Sequence, residues 1–116
     1  MKESLSHSSS ADVVFLMDSS TDVSAPIFLR EKAFVKNLAR TLKIDTGGSR
    51  GAVVAFGESS ILIVDLNSYR SPEQFRLFVD RARYIGGDRR MDRALEEAAK
   101  VKGTVIQKNN LYLLFF

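Results

Sequence analysis

Cysteine is absent from the 116 residues, and histidine occurs once. The first absence excludes disulfides and thiolate metal sites while leaving the compartment open. The second leaves only His7, in a Ser-rich leader, so the usual nucleophile–base pairs cannot be assembled. No apolar run approaches the ~20 residues that span a bilayer. MKESLSHSSS also lacks the apolar core of a secretory signal. A large excess of one charge is missing too. The net charge is +3, and no aromatic residues interleave the basic ones as a base-stacking surface requires, so neither a nucleic-acid nor a membrane partner is expected. What remains is a composition of 45% hydrophobic residues, enough for the core of one globular domain.

That core is organised around ADVVFLMDSSTD, ending at Asp22. Val13 to Met17 is continuously apolar and rich in β-formers, which reads as a strand buried on both faces of a parallel sheet. Asp18 marks its carboxyl end, the side of an open α/β sheet on which ligands bind. Its simplest role is to accept backbone N–H bonds from its own loop, with Ser20 as a turn hydroxyl.

Along the chain, residues 1–10 read as a disordered lead-in and 11–116 as one unit. Pro26 opens a helix reaching about Leu42. Ile27, Phe28, Phe34, Val35, Leu38 and Leu42 recur at helical spacing there, and Arg30, Lys32, Lys36, Arg40 and Lys43 occupy the remaining surface. DTGGS, 45–49, is a loop. GAVVAF (51–56) and ILIV (61–64) stand too close for a helical crossover, so they pair antiparallel. Ser71, Pro72 and Gln74 form a capping signature for a helix reaching about Tyr84 that buries Phe75, Phe78, Val79 and Ala82. Gly86 and Gly87 break it. Met91, Ala94, Leu95, Ala98 and Val101 then mark a third helix that Gly103 stops. The apolar LYLLFF at 111–116 suits a strand and presents a self-association hazard. The expected fold is α/β: a Rossmann-like open sheet, mostly parallel with one antiparallel edge strand, and helices on both faces.

These segments resemble a known family. DVVFLMDSSTD is similar to the first strand and DxSxS metal-adhesion loop of the von Willebrand factor type A domain. RGAVVAFGESSILIVDL resembles its second and third strands, and YIGGDRRMDRALEEAAK its YxGGxTxTGxAL stretch. The likeness covers 12–101 and looks like the first part of such a domain. LYLLFF stands either in the place of the fourth strand or as an unrelated tail. By resemblance, the ligand-binding loop comprises Asp18, Ser19, Ser20, Asp22, Asp88 and Arg89. Asp18 and Ser20 match the metal motif, Asp22 takes the place of its second Ser, and Arg89 takes the place of its Thr. Asp18, Ser20 and Asp22 are thus the candidate ligands of an incomplete site for Mg²⁺ or another divalent cation. A guanidinium brings only donors and positive charge, so no cofactor is expected. Arg89 is instead expected to pair with Asp18 and Asp22.

The resemblance implies a non-catalytic protein-binding module of the adhesion or extracellular-matrix type, metal-independent and extracellular within a larger secreted protein, with a matrix protein as ligand. One alternative is an incomplete domain without independent activity. A remoter one is a phosphoaspartyl-type phosphotransferase using Asp18, but that chemistry needs a carboxylate where Ser20 stands.

Overall fold

The computed structural model describes residues 11–44, 48–101 and 110–116. The lead-in, most of the DTGGS loop and Gly103 lie outside that range. Strand β1 (Ala11–Asp18) leads into helix α1 (Ala25–Thr41). Strands β2 (Arg50–Phe56) and β3 (Ser60–Val64) follow, then helices α2 (Pro72–Asp80) and α3 (Met91–Ala99) and strand β4 (Asn110–Phe115). The sheet order is β3-β2-β1-β4. β1 pairs parallel with both β2 and β4, and β3 runs antiparallel to β2. The expected α/β sheet is therefore observed, and LYLLFF takes the position beside the first strand.

Alternation along β1 sorts the core into two layers. Val13, Phe15 and Met17 face Phe28, Val35 and Ala39 of α1 and Phe75 and Val79 of α2. Val14 and Leu16 face Ala94 and Ala98 of α3, together with Ala52, Val54 and Phe56 of β2. A strand whose two faces are both covered must be apolar throughout, which explains why VVFLM is unbroken.

The helices differ from expectation in instructive ways. Ser24 caps α1, its Oγ accepting the Ile27 N–H, and Ser71 caps α2 in the same way. In α1 the buried residues are Phe28, Val35 and Ala39, while Ile27 and Phe34 are exposed. The apolar stripe is wider than the sheet beneath it, so its outer row overhangs β4, where Phe34 meets Phe116 edge-on at 5.4 Å. Lys32 and Lys36 are not merely solvated. They reach the Asp80 carbonyl (2.8 Å) and carboxylate (2.7 Å), tying α1 to α2. α2 ends at Asp80 rather than Tyr84 and leaves Phe78 half-buried. The Arg81 N–H turns back to the Phe78 and Val79 carbonyls, and Tyr84 and Ile85 beyond it hydrogen-bond to the loop after β1. Among the described residues no helix is long and apolar enough to cross a membrane.

An ion pair holds the opposite end of the sheet. Arg50 forks onto Asp12 through Nε (2.9 Å) and Nη2 (2.8 Å), across adjoining parallel strands. The Asp12 side chain is only 2% exposed and that of Arg50 23%. Arg50→Ala would leave a buried carboxylate without its fork. It is expected to cost about 2–3 kcal/mol in urea unfolding, below the value for a fully buried pair because Arg50 keeps some contact with water. Lys36→Ala, which breaks an exposed pair, should cost less than ~1 kcal/mol. Equal losses would contradict this ranking.

Candidate functional site

β1 ends in a carboxylate that is almost fully buried, with Asp18 only 4% exposed. Its Oδ1 accepts the Ser20 N–H at 2.9 Å, closing the loop on itself. Its Oδ2 accepts Arg89 Nε at 2.5 Å, and Arg89 Nη1 stands 3.6 Å from Asp22 Oδ2. The expected pairing of Arg89 with both acids is present. Asp18 takes the main bond, and the exposed Asp22 a longer one. The hydrogen bond to Asp18, followed by its charge, raises the Arg89 pKa above the ordinary value.

Three loops converge to deliver Arg89. Ser19, fully buried, donates both its N–H (2.7 Å) and its Oγ–H (3.1 Å) to the Phe56 carbonyl at the end of β2. It also receives the Ile85 N–H on Oγ (3.2 Å) and the Gly86 N–H on its carbonyl (2.7 Å). Thr21 and Gly87 exchange two bonds, N–H to carbonyl and N–H to Oγ1, both 2.8 Å. Tyr84 donates its hydroxyl to the Ser20 and Val23 carbonyls. Gly57 and Gly86 approach so closely that a Cβ on Gly57 would stand 2.5 Å from the Gly86 carbonyl oxygen. Gly86 and Gly87 hold φ of 83° and 76°, a region L side chains avoid.

The site residues named from the sequence therefore fall into three places. Asp18, Asp22 and Arg89 form the charged centre. Ser19 and Ser20 lie beneath it, fully buried. Asp88 is exposed, where its charge adds to the raised Arg90 pKa behind the larger effect of Asp92. Thr21, Tyr84, Gly57 and Glu31 were missed as site residues. The loop positions carried no signal beyond turn composition, and Glu31 sits in a helix that reads as amphipathic.

Glu31 reaches toward Asp18 from α1. Its Oε1 and the Ser20 Oγ are buried without a hydrogen-bond partner among the described residues. Burial first, and then the Asp18 charge, push the Glu31 carboxyl up from 4.5 to about 7, partly offset by the Asp18 amide. Beside it lies a groove of about 430 Å³ lined by Asp18, Val23, Ile27, Arg30, Glu31, Phe34, Arg89 and Phe116.

Comparison with known proteins fixes the family. The model described as "von Willebrand factor type A domain" matches residues 12–110. The chain belongs to the von Willebrand factor type A family. It is 34% identical over 71 residues to the collagen alpha-5(VI) chain of Mus musculus, covering 61% of this chain and 3% of that protein. It is 28% identical over 89 residues to von Willebrand factor A domain-containing protein 2 of Homo sapiens, covering 77% and 12% respectively. Among solved structures, proximal thread matrix protein 1 from the mussel byssus, with a zinc-occupied MIDAS motif, superposes with a TM-score of 0.77 at 24% identity. That match covers 91% of this chain and 28% of the other, and it establishes the fold. The chain thus spans a small part of the relatives it matches.

In the arrangement found here a guanidinium, rather than an open cluster of oxygens, stands at Asp18. Hard cations require several converging oxygens. Arg89 instead places a guanidinium on Asp18 Oδ2, and Asp22 is drawn toward that guanidinium. The Ser20 hydroxyl, which like Asp18 matches the motif, is buried without a hydrogen-bond partner among the described residues.

Two outcomes follow from this geometry. Gly57→Ala is expected to destabilise the fold by about 2 kcal/mol or more in urea unfolding, because the clash is with backbone rather than a flexible side chain; a loss below ~0.5 kcal/mol would show the junction to be pliable. For Glu31, the folded state holds a proton that the unfolded chain releases near 4.5, so this group's contribution is fully present below that pH and is lost as pH rises through about 7. Glu31→Gln should melt higher than the parent above about pH 7, and the difference should vanish near 4.5. A difference independent of pH would contradict the assignment.

Proposed function

We propose that residues 11–116 act as a non-catalytic protein-binding unit of the adhesion or extracellular-matrix type. The unit engages a protein ligand outside the cell through the loops bearing Asp18, Asp22, Asp88 and Arg89, without a metal. One observation carries the reading: the Arg89 guanidinium stands on Asp18 Oδ2 at 2.5 Å, supplying the positive charge that a cation brings elsewhere. With its side chain 44% exposed, Arg89 also keeps N–H donors for a partner. Two kinds of similarity support a matrix setting, a collagen VI chain in sequence and a byssal matrix protein in fold.

Catalysis fits the site poorly. Both Asp18 oxygens are engaged, one by the Ser20 N–H and one by Arg89. A phosphoaspartyl nucleophile needs a free oxygen and a second carboxylate two residues on, where this chain has the buried Ser20. Ser19 and Ser20 serve the unit by shaping the loops rather than by touching the ligand.

The test is retention of the chain on immobilised extracellular-matrix extract, read in Mg²⁺ and in EDTA. Equal retention in both is expected, with a several-fold loss for Arg89→Ala of unchanged circular dichroism. Binding that EDTA abolishes would overturn the metal-free reading, and absence of retention would overturn the matrix one.

A further inference from the structure

The modest net charge conceals an uneven distribution. Helices α1 and α2 lie side by side on one face of the sheet. The segments 25–43 and 70–83, which contain them, hold nine of the chain's 17 Lys and Arg residues and only three of its 14 Asp and Glu residues. These segments therefore carry a net +6, and the rest of the chain, which is +3 overall, a net −3. Two of the three acids are already engaged. Glu31 faces inward toward Asp18, and Asp80 is held by Lys36 on its carboxylate and Lys32 on its carbonyl.

The two helices run antiparallel, which leaves uncompensated charge at one end of their seam. Asp80, at the end of α2, meets Lys32 and Lys36, whereas Arg40, near the end of α1, lines a small cleft with Pro72 and Arg76 at the start of α2. Lys43 follows Arg40 by about one turn, and Arg70 precedes Pro72. Arg40, Lys43 and Arg70 are exposed and make no ion pair among the described residues. Arg76 has Glu73 beside it at 3.9 Å, on a side chain 75% exposed.

Lys43 adds a conformational signal. It holds φ of 57°, in the left-handed region. Its N–H returns to the Arg40 carbonyl and the Ile44 N–H to the Ala39 carbonyl, a helix ending that glycine ordinarily closes. A lysine there sets a long cationic side chain at the end of the seam despite the steric cost.

We propose that the α1–α2 seam binds a sulfated polysaccharide, with Arg40, Lys43, Arg70 and Arg76 as the main contacts. This does not depend on the protein-binding reading. Ile44 and Phe75 border Gly51, at the opposite end of β2 from the Asp18 loops, so the two surfaces are separate. Guanidinium groups fork onto sulfate oxygens, and lysine supplies a point charge. Cations spread over two helices suit an extended polymer with repeated anionic groups. Among the described residues the aromatic rings at this end, Tyr69 and Phe75, are buried, leaving no ring for base stacking or for a membrane interface.

The affinity of the 116-residue chain for heparin, a sulfated polysaccharide, read by titration calorimetry across a salt series, tests this. Kd should rise linearly with salt on logarithmic axes, as counterion release requires. Arg40→Ala and Arg76→Ala together should weaken binding at least ~10-fold, and Arg93→Ala on α3 less than ~2-fold. Lys43→Gly should melt at a higher temperature than the parent yet bind several-fold more weakly, which separates lost charge from lost fold. Circular dichroism of each variant would confirm folding. Absence of binding, binding that the seam substitutions leave unchanged, or an equal loss in Arg93→Ala would overturn the proposal. So would desulfated heparin, single-stranded DNA or phosphatidylserine vesicles bound as tightly as heparin.

Discussion

A carboxylate at the end of a strand buried on both faces has to be neutralised locally, because burying an unpaired charge costs far more than any single packing contact returns. Asp18 is in that position, 4% exposed, with β1 paired to a strand on either side. The loops above the sheet are arranged around this constraint. Ser19 locks the β1 end to β2 and to the double-glycine turn, Thr21 and Gly87 clasp the same turn, and Arg89 emerges from it onto Asp18. The two departures from the family motif make physical sense together. A guanidinium in place of a hydroxyl brings positive charge, and Asp22 in place of a second hydroxyl brings a further negative charge beside it.

The sequence made the sheet legible because its signals were strong and local. The apolar run VVFLM, rich in β-formers, reads as a doubly covered strand, four residues between GAVVAF and ILIV exclude a crossover, and a Ser followed within two residues by Pro announces each of the first two helices. The Asp18–Arg89 pairing was also legible, since opposite charges had replaced two facing ligands. Less legible were features that depend on elements distant in the chain. Ile27 and Phe34 carry a core-like spacing yet sit exposed, because helical periodicity records the width of the apolar stripe and not the width of the sheet below it. The Arg50–Asp12 fork gave no signal because two residues 38 apart become neighbours only through strand register. Glu31 looks like any polar residue of an amphipathic helix until Asp18 is set against it.

The overhanging row of α1 and the exposed residues of β4 belong to one physical situation. Phe34 meets Phe116 edge-on, Phe116 stacks on Phe15, and Phe15 packs at a tilt against Phe75, so an aromatic line runs from the core to β4. Apolar surface on that side exceeds what the described elements cover, whereas the β3 side carries charges and an irregular register. Among the described residues the β3 edge has an irregular register with charges at either end, and β4 carries the exposed apolar side chains Tyr112, Leu113 and Phe115. The charged centre stands at the end of β1, with the groove of Ile27, Phe34 and Phe116 leading away from it.

We propose that Arg89 occupies the place of a cation at Asp18. Nitrogen-15 spectroscopy of the Arg89 Nε–H, read as Mg²⁺ is titrated to millimolar concentration, tests it most directly. A downfield, slowly exchanging proton is expected, its shift and exchange rate unaltered by Mg²⁺ and the signal lost in Asp18→Asn. An Nε–H that exchanges freely in the absence of metal, or one that Mg²⁺ releases to solvent, would contradict it.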